Sequence, residues 1–244
     1  LPGGELWGEM KENAKLAAAH PERKGGMQLI AQHAQKALGD VDEAERKKWE
    51  LHVVGHSAGS IFAAHALRHL IDLKVTLKTV QFMAPAITVK AFKELVLPHV
   101  KSGDCPSPTL YILSDSGELD DEVGPYGKSL LYLVSNAFEE RRGTPILGME
   151  KFLVGPDADP ETAKLYRPCG AGHLVVAGKG KDPAGKSASE THGGFDNDPR
   201  TLNSVMYQIL GGPPKRQFQV RDLQFEDTKD AAAGRGRRAG AAAN

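Results

Sequence analysis

Four short runs of apolar residues punctuate the chain, at positions 51–54 (LHVV), 79–83 (TVQFM), 108–113 (PTLYIL) and 173–177 (HLVVA). Each is continuous rather than alternating, which predicts strands buried on both faces. Between them the apolar positions change period. Met27, Ile30, Ala31, Ala34 and Leu38 recur at helical spacing and stop at Gly39; Ile61, Ala64, Leu67 and Ile71 do the same after the first run. Further helices are predicted over 7–20, 91–97, 128–139 and 201–210, the last with Asp198 as N-cap and Pro199 at its first position. Pro85 ends the second strand. Strands alternating with helices predict an α/β fold of three layers, a mostly parallel sheet flanked by helices. Residues 140–172 read as an insertion between the third-strand helix and the fourth strand.

Composition narrows this picture in a few places. The 244 residues carry 31 Lys+Arg and 31 Asp+Glu, a formal net charge of zero, so charge gives no argument for nucleic acid or an anionic membrane as partner. No stretch approaches the roughly 20 apolar residues of a membrane span. The two cysteines, Cys105 and Cys169, form no Cys-x-x-Cys pair or zinc spacing, and the expectation is a reducing, cytoplasmic setting. Residues 1–226 are expected to form one domain, with 227–244 a disordered Ala/Gly/Arg-rich tail.

The chemistry concentrates where the first strand ends. Gly55-His56-Ser57-Ala58-Gly59 is a G-x-S-x-G between a strand and an amphipathic helix. With 27 glycines in the chain the bare pattern is weak; the strand-helix setting is what gives it meaning. A sharp turn there exposes the Ser57 hydroxyl, glycine at both 55 and 59 is expected to avoid collisions, and the Ala58 N–H points toward a developing oxyanion.

The stretch LHVVGHSAGSIFAAHAL resembles the nucleophile elbow of the α/β-hydrolase superfamily in its lipase- and esterase-like form. The resemblance spans roughly residues 27–212. It implies a serine esterase acting on a small-molecule ester without a cofactor or metal, with acid and histidine following the serine in that order. His192, in the Gly-rich loop before the last helix, takes the histidine's place. Three carboxylates qualify as acid. Gly117-Glu-Leu-Asp120-Asp-Glu-Val123 resembles the family's G-x-x-D-x-x-V loop and favours Asp120; counting from the strand end favours Asp115; Asp121 adjoins the motif position.

The remaining histidines offer less. His56 lies inside the elbow and is expected to point away from Ser57. His65 and His69, at i,i+4 spacing, have no neighbouring Glu and no evident third ligand. The run Gly180 to Ser187 matches the phosphate-loop pattern G-x-x-x-x-G-K-[ST], the basis of an alternative nucleotide-binding reading, but the sequence after it is expected to break the helix such a loop requires. The family usually carries four strands ahead of the elbow strand, whereas this elbow begins at residue 55. The resemblance therefore implies that the first strands are missing, and with them the second oxyanion donor. A catalytically impaired or non-catalytic hydrolase-like binding domain is the second reading.

Overall fold

A computed structural model of the chain describes residues 2–167 and 173–223. The tail at 227–244 and Cys169 lie outside the described residues. Three helices come first, α1 (Pro2–Ala18), α2 (Gly26–Gly39) and α3 (Glu43–Arg46). They are followed by β1 (Glu50–His56), α4 (Gly59–Ile71), β2 (Thr76–Met83), α5 (Val89–Leu95), α6 (Leu97–Ser102) and β3 (Thr109–Ile112). Then come α7 (Asp115–Asp120), α8 (Leu130–Leu133), α9 (Glu150–Leu153), α10 (Pro160–Tyr166), β4 (His173–Val176) and α11 (Pro199–Leu210).

The four strands pair in parallel in the order β1-β2-β3-β4, so every connection is a crossover carrying at least one helix. Each coincides with one of the four apolar runs. Period-2 alternation divides their side chains between two faces. Val80, Phe82, Leu110 and Ile112 pack with Ile61, Ala64 and Leu67 of α4. Met83, Tyr111 and Leu113 pack with Phe195 and with Val205 of α11. The architecture is thus α/β, a parallel sheet with helices on both faces. Among the described residues no helix is long and apolar enough to cross a membrane.

The face toward α11 also holds polar groups. The Gln81 amide donates to the Val205 carbonyl (3.3 Å) and accepts from the Tyr111 hydroxyl (3.2 Å). That hydroxyl lies 3.0 Å from Ser204 Oγ and accepts from Gln208 Nε2 at 3.0 Å. Burial pushes the Tyr111 phenol up to about 12, against the Ser204 hydrogen bond, so it stays a neutral donor. Asp198 caps α11 as the sequence predicts, accepting from the N–H groups of Arg200 and Thr201 ahead of Pro199 at the first turn.

Three expectations change. The first helix starts at Pro2 rather than near Trp7, because it docks on the far end of the α8 segment. Trp7 Nε1 and Lys11 Nζ both donate to the Glu139 carboxylate, at 2.7 and 2.8 Å, and Phe138 fills the space beside Gly3. The helix expected over 128–139 is α8 continued by a wide π turn, Val134–Phe138, which ends where the Glu139 N–H reaches back to the Val134 carbonyl. The segment expected as an insertion is instead stitched into the core. Ile146, Leu147, Met149 and Leu153 are fully buried. Leu147 and Gly148 donate to the carbonyls of Ile87 and Pro85, just beyond β2, and a side chain at 148 would strike Pro85.

Candidate functional site

Parallel strands end together, and the loops beyond their carboxyl ends are where this kind of sheet presents side chains. Ser57 stands at the end of β1, at the edge of the sheet, with φ of 53°. A non-glycine residue in the left-handed region costs of order 1–3 kcal/mol and persists only where its surroundings hold it. They do so here. The Ser57 N–H donates to the Met83 carbonyl (2.9 Å), and its carbonyl accepts from the Ala86 N–H (3.1 Å) and Ser60 Oγ (2.7 Å). Ser60 is itself fully buried and accepts from the Ile87 N–H at 3.2 Å.

The two glycines of the motif are not equivalent. A β-carbon at Gly55 would lie 3.0 Å from the carbonyl carbon and oxygen of Gly59 and 3.1 Å from the Ser60 nitrogen. At Gly59 it would meet nothing within 4 Å. Close approach of strand and helix thus explains Gly55 and corrects the expectation for Gly59. Ala58 is the N-cap of α4 and already has helical angles, and among the described residues its N–H has no hydrogen-bond partner.

His192 is buried, on a short turn shared with Gly193 and Gly194, and its Nε2 lies 2.8 Å from Ser57 Oγ. Ser57 and His192, 135 positions apart, are therefore at proton-transfer distance. Burial, reinforced by the nearby His56, pushes the His192 imidazole down to about 3, so the ring is neutral at neutral pH and able to receive a proton. Its Nδ1 is buried and makes no hydrogen bond among the described residues.

The three carboxylates part company. Asp121 is buried, and its Oδ2 accepts from the His192 main-chain N–H at 2.8 Å. Asp120 is exposed and lines a separate cavity of about 530 Å³ with Ser114, Glu190 and Arg200. Asp115 Oδ1 accepts from the Tyr132 hydroxyl at 2.8 Å. Of the three, the structure places Asp121 against His192 and Asp120 away from it. Residues 118 and 121 share one face of α7 and its cap, and that face turns inward. Glu118 is fully buried while Leu119 is 40 % exposed, the reverse of what hydrophobicity suggests. Ser129 Oγ bonds one Glu118 oxygen, the other has no partner among the described residues, and burial pushes this carboxyl up to about 8. Among the described residues, neither feature has a signal in the sequence beyond the i,i+3 spacing.

His56 does not bond Ser57. Its Nε2 donates to the His192 carbonyl at 2.9 Å, and its Nδ1 lies 3.4 Å from Asp196 Oδ2. His65 is half-buried on α4, where burial and Lys15 lower its pKa while Glu12 opposes them. Among the described residues no group of three or more His, Cys, Asp and Glu is placed to hold a metal ion. In the 180–187 run, residues 183–185 form a single 3-10 turn capped by Asp182, and no helix begins directly after Ser187, whose hydroxyl lies 2.7 Å from Thr201 Oγ1. A side chain at Gly180 would strike the Gly185 carbonyl, so the loop is closed on itself.

No family model, curated protein or solved structure matches the chain.

Proposed function

We propose that the chain is a serine hydrolase of α/β-hydrolase type that cleaves carboxylic esters of small molecules through an acyl-enzyme. One observation carries the reading: a serine held at φ of 53° in a strand-to-helix turn, with its hydroxyl 2.8 Å from the Nε2 of a buried, neutral histidine. In this reading Ser57 Oγ attacks the ester carbonyl as His192 Nε2 takes its proton. The Ala58 N–H donates to the oxyanion. The tetrahedral species collapses, the C–O bond to the alcohol breaks, and His192 returns the proton to the departing oxygen. Water then repeats the sequence to release the acid.

For Ser57 to donate to Nε2, the proton of the neutral ring sits on Nδ1, and a carboxylate beside it stabilises the positive charge that develops. Asp121 takes this role in the proposal, because it is buried and already bonded to the main chain of the same residue. The reading calls for no cofactor.

The unbonded Nδ1 favours a second reading, a hydrolase-like binding domain with impaired chemistry. A fluorophosphonate probe separates the two. The folded protein is expected to label at Ser57, and Ser57→Ala to abolish labelling; a folded sample that does not label rules out the enzyme. On a short nitrophenyl ester Asp121→Asn is expected to lose about 10²–10⁴ in kcat while Asp120→Asn keeps most of it. The opposite ranking would return the acid to Asp120.

A further inference from the structure

The turn that carries His192 is anchored on either side: Ser189 Oγ and the Gly194 N–H donate to the Thr191 carbonyl, at 2.8 and 3.1 Å, and Phe195 is fully buried. At Gly193 a β-carbon would meet nothing within 4 Å. Between these anchors the main chain of His192 is itself gripped. Asp121 takes its N–H at 2.8 Å and His56 takes its carbonyl at 2.9 Å. His56 immediately precedes Ser57 on β1. Two consecutive residues of one strand end therefore reach the same histidine, Ser57 at the ring and His56 at the backbone. Asp196, four positions beyond His192, lies 3.4 Å from the other nitrogen of the His56 ring, an ion pair when that ring is protonated. The two imidazole rings stand 5.6 Å apart, tilted by 31°, so His56 is placed to steady His192 without competing for the serine.

We infer that His56, backed by Asp196, is a positioning residue that sets the distance between His192 and Ser57 by holding the His192 carbonyl to the end of β1. Rotation of the 192–194 turn is what the contact prevents. Because its contact is with the His192 carbonyl and not with Ser57 Oγ or the His192 ring nitrogens, its loss is expected in kcat and not in KM. The kinetic readout rests on the proposed hydrolase reading; the contact itself does not.

The test compares His56→Gln with His56→Leu and His56→Asn. A glutamine amide nitrogen sits as far from the backbone as His Nε2 and can still donate to the carbonyl, whereas asparagine falls short and leucine has no donor. With a nitrophenyl ester, His56→Leu is expected to lower kcat about tenfold, the worth of one hydrogen bond, with KM within about twofold. His56→Gln is expected to recover most of that loss. Hydrogen exchange of the His192 amide gives a readout that needs no activity. It is expected to quicken in His56→Leu and His56→Asn and to return toward wild type in His56→Gln. Should His56→Leu not fold, the Asn and Gln pair decides. Unchanged exchange and kcat in the Asn variant, or an equal loss in Asn and Gln, overturns the inference. If the wild type fails to label at Ser57 while the exchange ranking holds, the hydrolase reading falls and the positioning contact stands.

Discussion

Replacing Gly55 by alanine puts the elbow's packing to a direct test. The added methyl would stand 3.0 Å from two backbone atoms of Gly59 and 3.1 Å from the Ser60 nitrogen. None of these can rotate away, so α4 must retreat from β1 by a few tenths of an ångström. The same turn of α4 presents the Ala58 N–H, and through Ser60 Oγ it holds the Ser57 carbonyl (2.7 Å) and the Ile87 N–H (3.2 Å). Overpacking of this kind costs about 1–3 kcal/mol. For a domain of this size that lowers Tm by about 2–12 °C. On the proposed hydrolase reading, displacing Ser57 is expected to slow fluorophosphonate labelling by up to about 10²-fold. Gly59→Ala is the matched control: the site is open, and alanine gains about 0.5–1 kcal/mol over glycine within a helix, so Tm is expected to hold or rise. Thermal melts and labelling rates of the two variants check this. Wild-type behaviour in Gly55→Ala, or an equal loss in both, would refute the close-approach argument.

Glu118 is neutral in the folded chain up to about pH 8 but ionises near its ordinary value when unfolded, so its burial costs stability as pH rises from about 4.5 to 8. Glu118→Gln is expected to be more stable than wild type at pH 8 and little different at pH 4.5, measured by urea denaturation at the two pH values. His192 has the opposite sign. Its folded pKa is depressed to about 3, so the unfolded chain takes up a proton first, and stability is expected to fall as pH drops below about 6.5. Urea midpoints between pH 7 and 4 should show a shallower fall in His192→Gln, and an unchanged slope would mean that other groups dominate. Tyr111→Phe deprives Gln81 and Gln208 of their shared partner and is expected to cost about 1–3 kcal/mol; a melt superimposable on wild type would show that water replaces the hydroxyl.

The strands and most helices were legible in the sequence because burial on both faces demands continuous apolar runs, and because Asp198-Pro199 and Gly39 mark helix ends by local chemistry. The elbow was legible for the same reason: a strand, a turn and a helix are contiguous, and the left-handed Ser57 sits where that turn must be. Choosing among Asp115, Asp120 and Asp121 was not legible. Neighbours in sequence on α7 differ by a third of a turn, and which of them faces inward is fixed by how α7 and α8 pack, with charged Glu118 inside and Leu119 partly exposed. Residues 140–172 read as an insertion because the contacts of residues 145–148 are with the chain just beyond β2, far away in sequence. His56 could be placed in the motif, but its partner could not, since the His192 carbonyl is 136 positions distant. The sequence alone determined the layers and singled out Ser57 and His192, through local periodicity and turn chemistry. The tertiary structure decided which carboxylate meets the histidine and what holds its backbone, because those depend on distances between elements that no local pattern encodes.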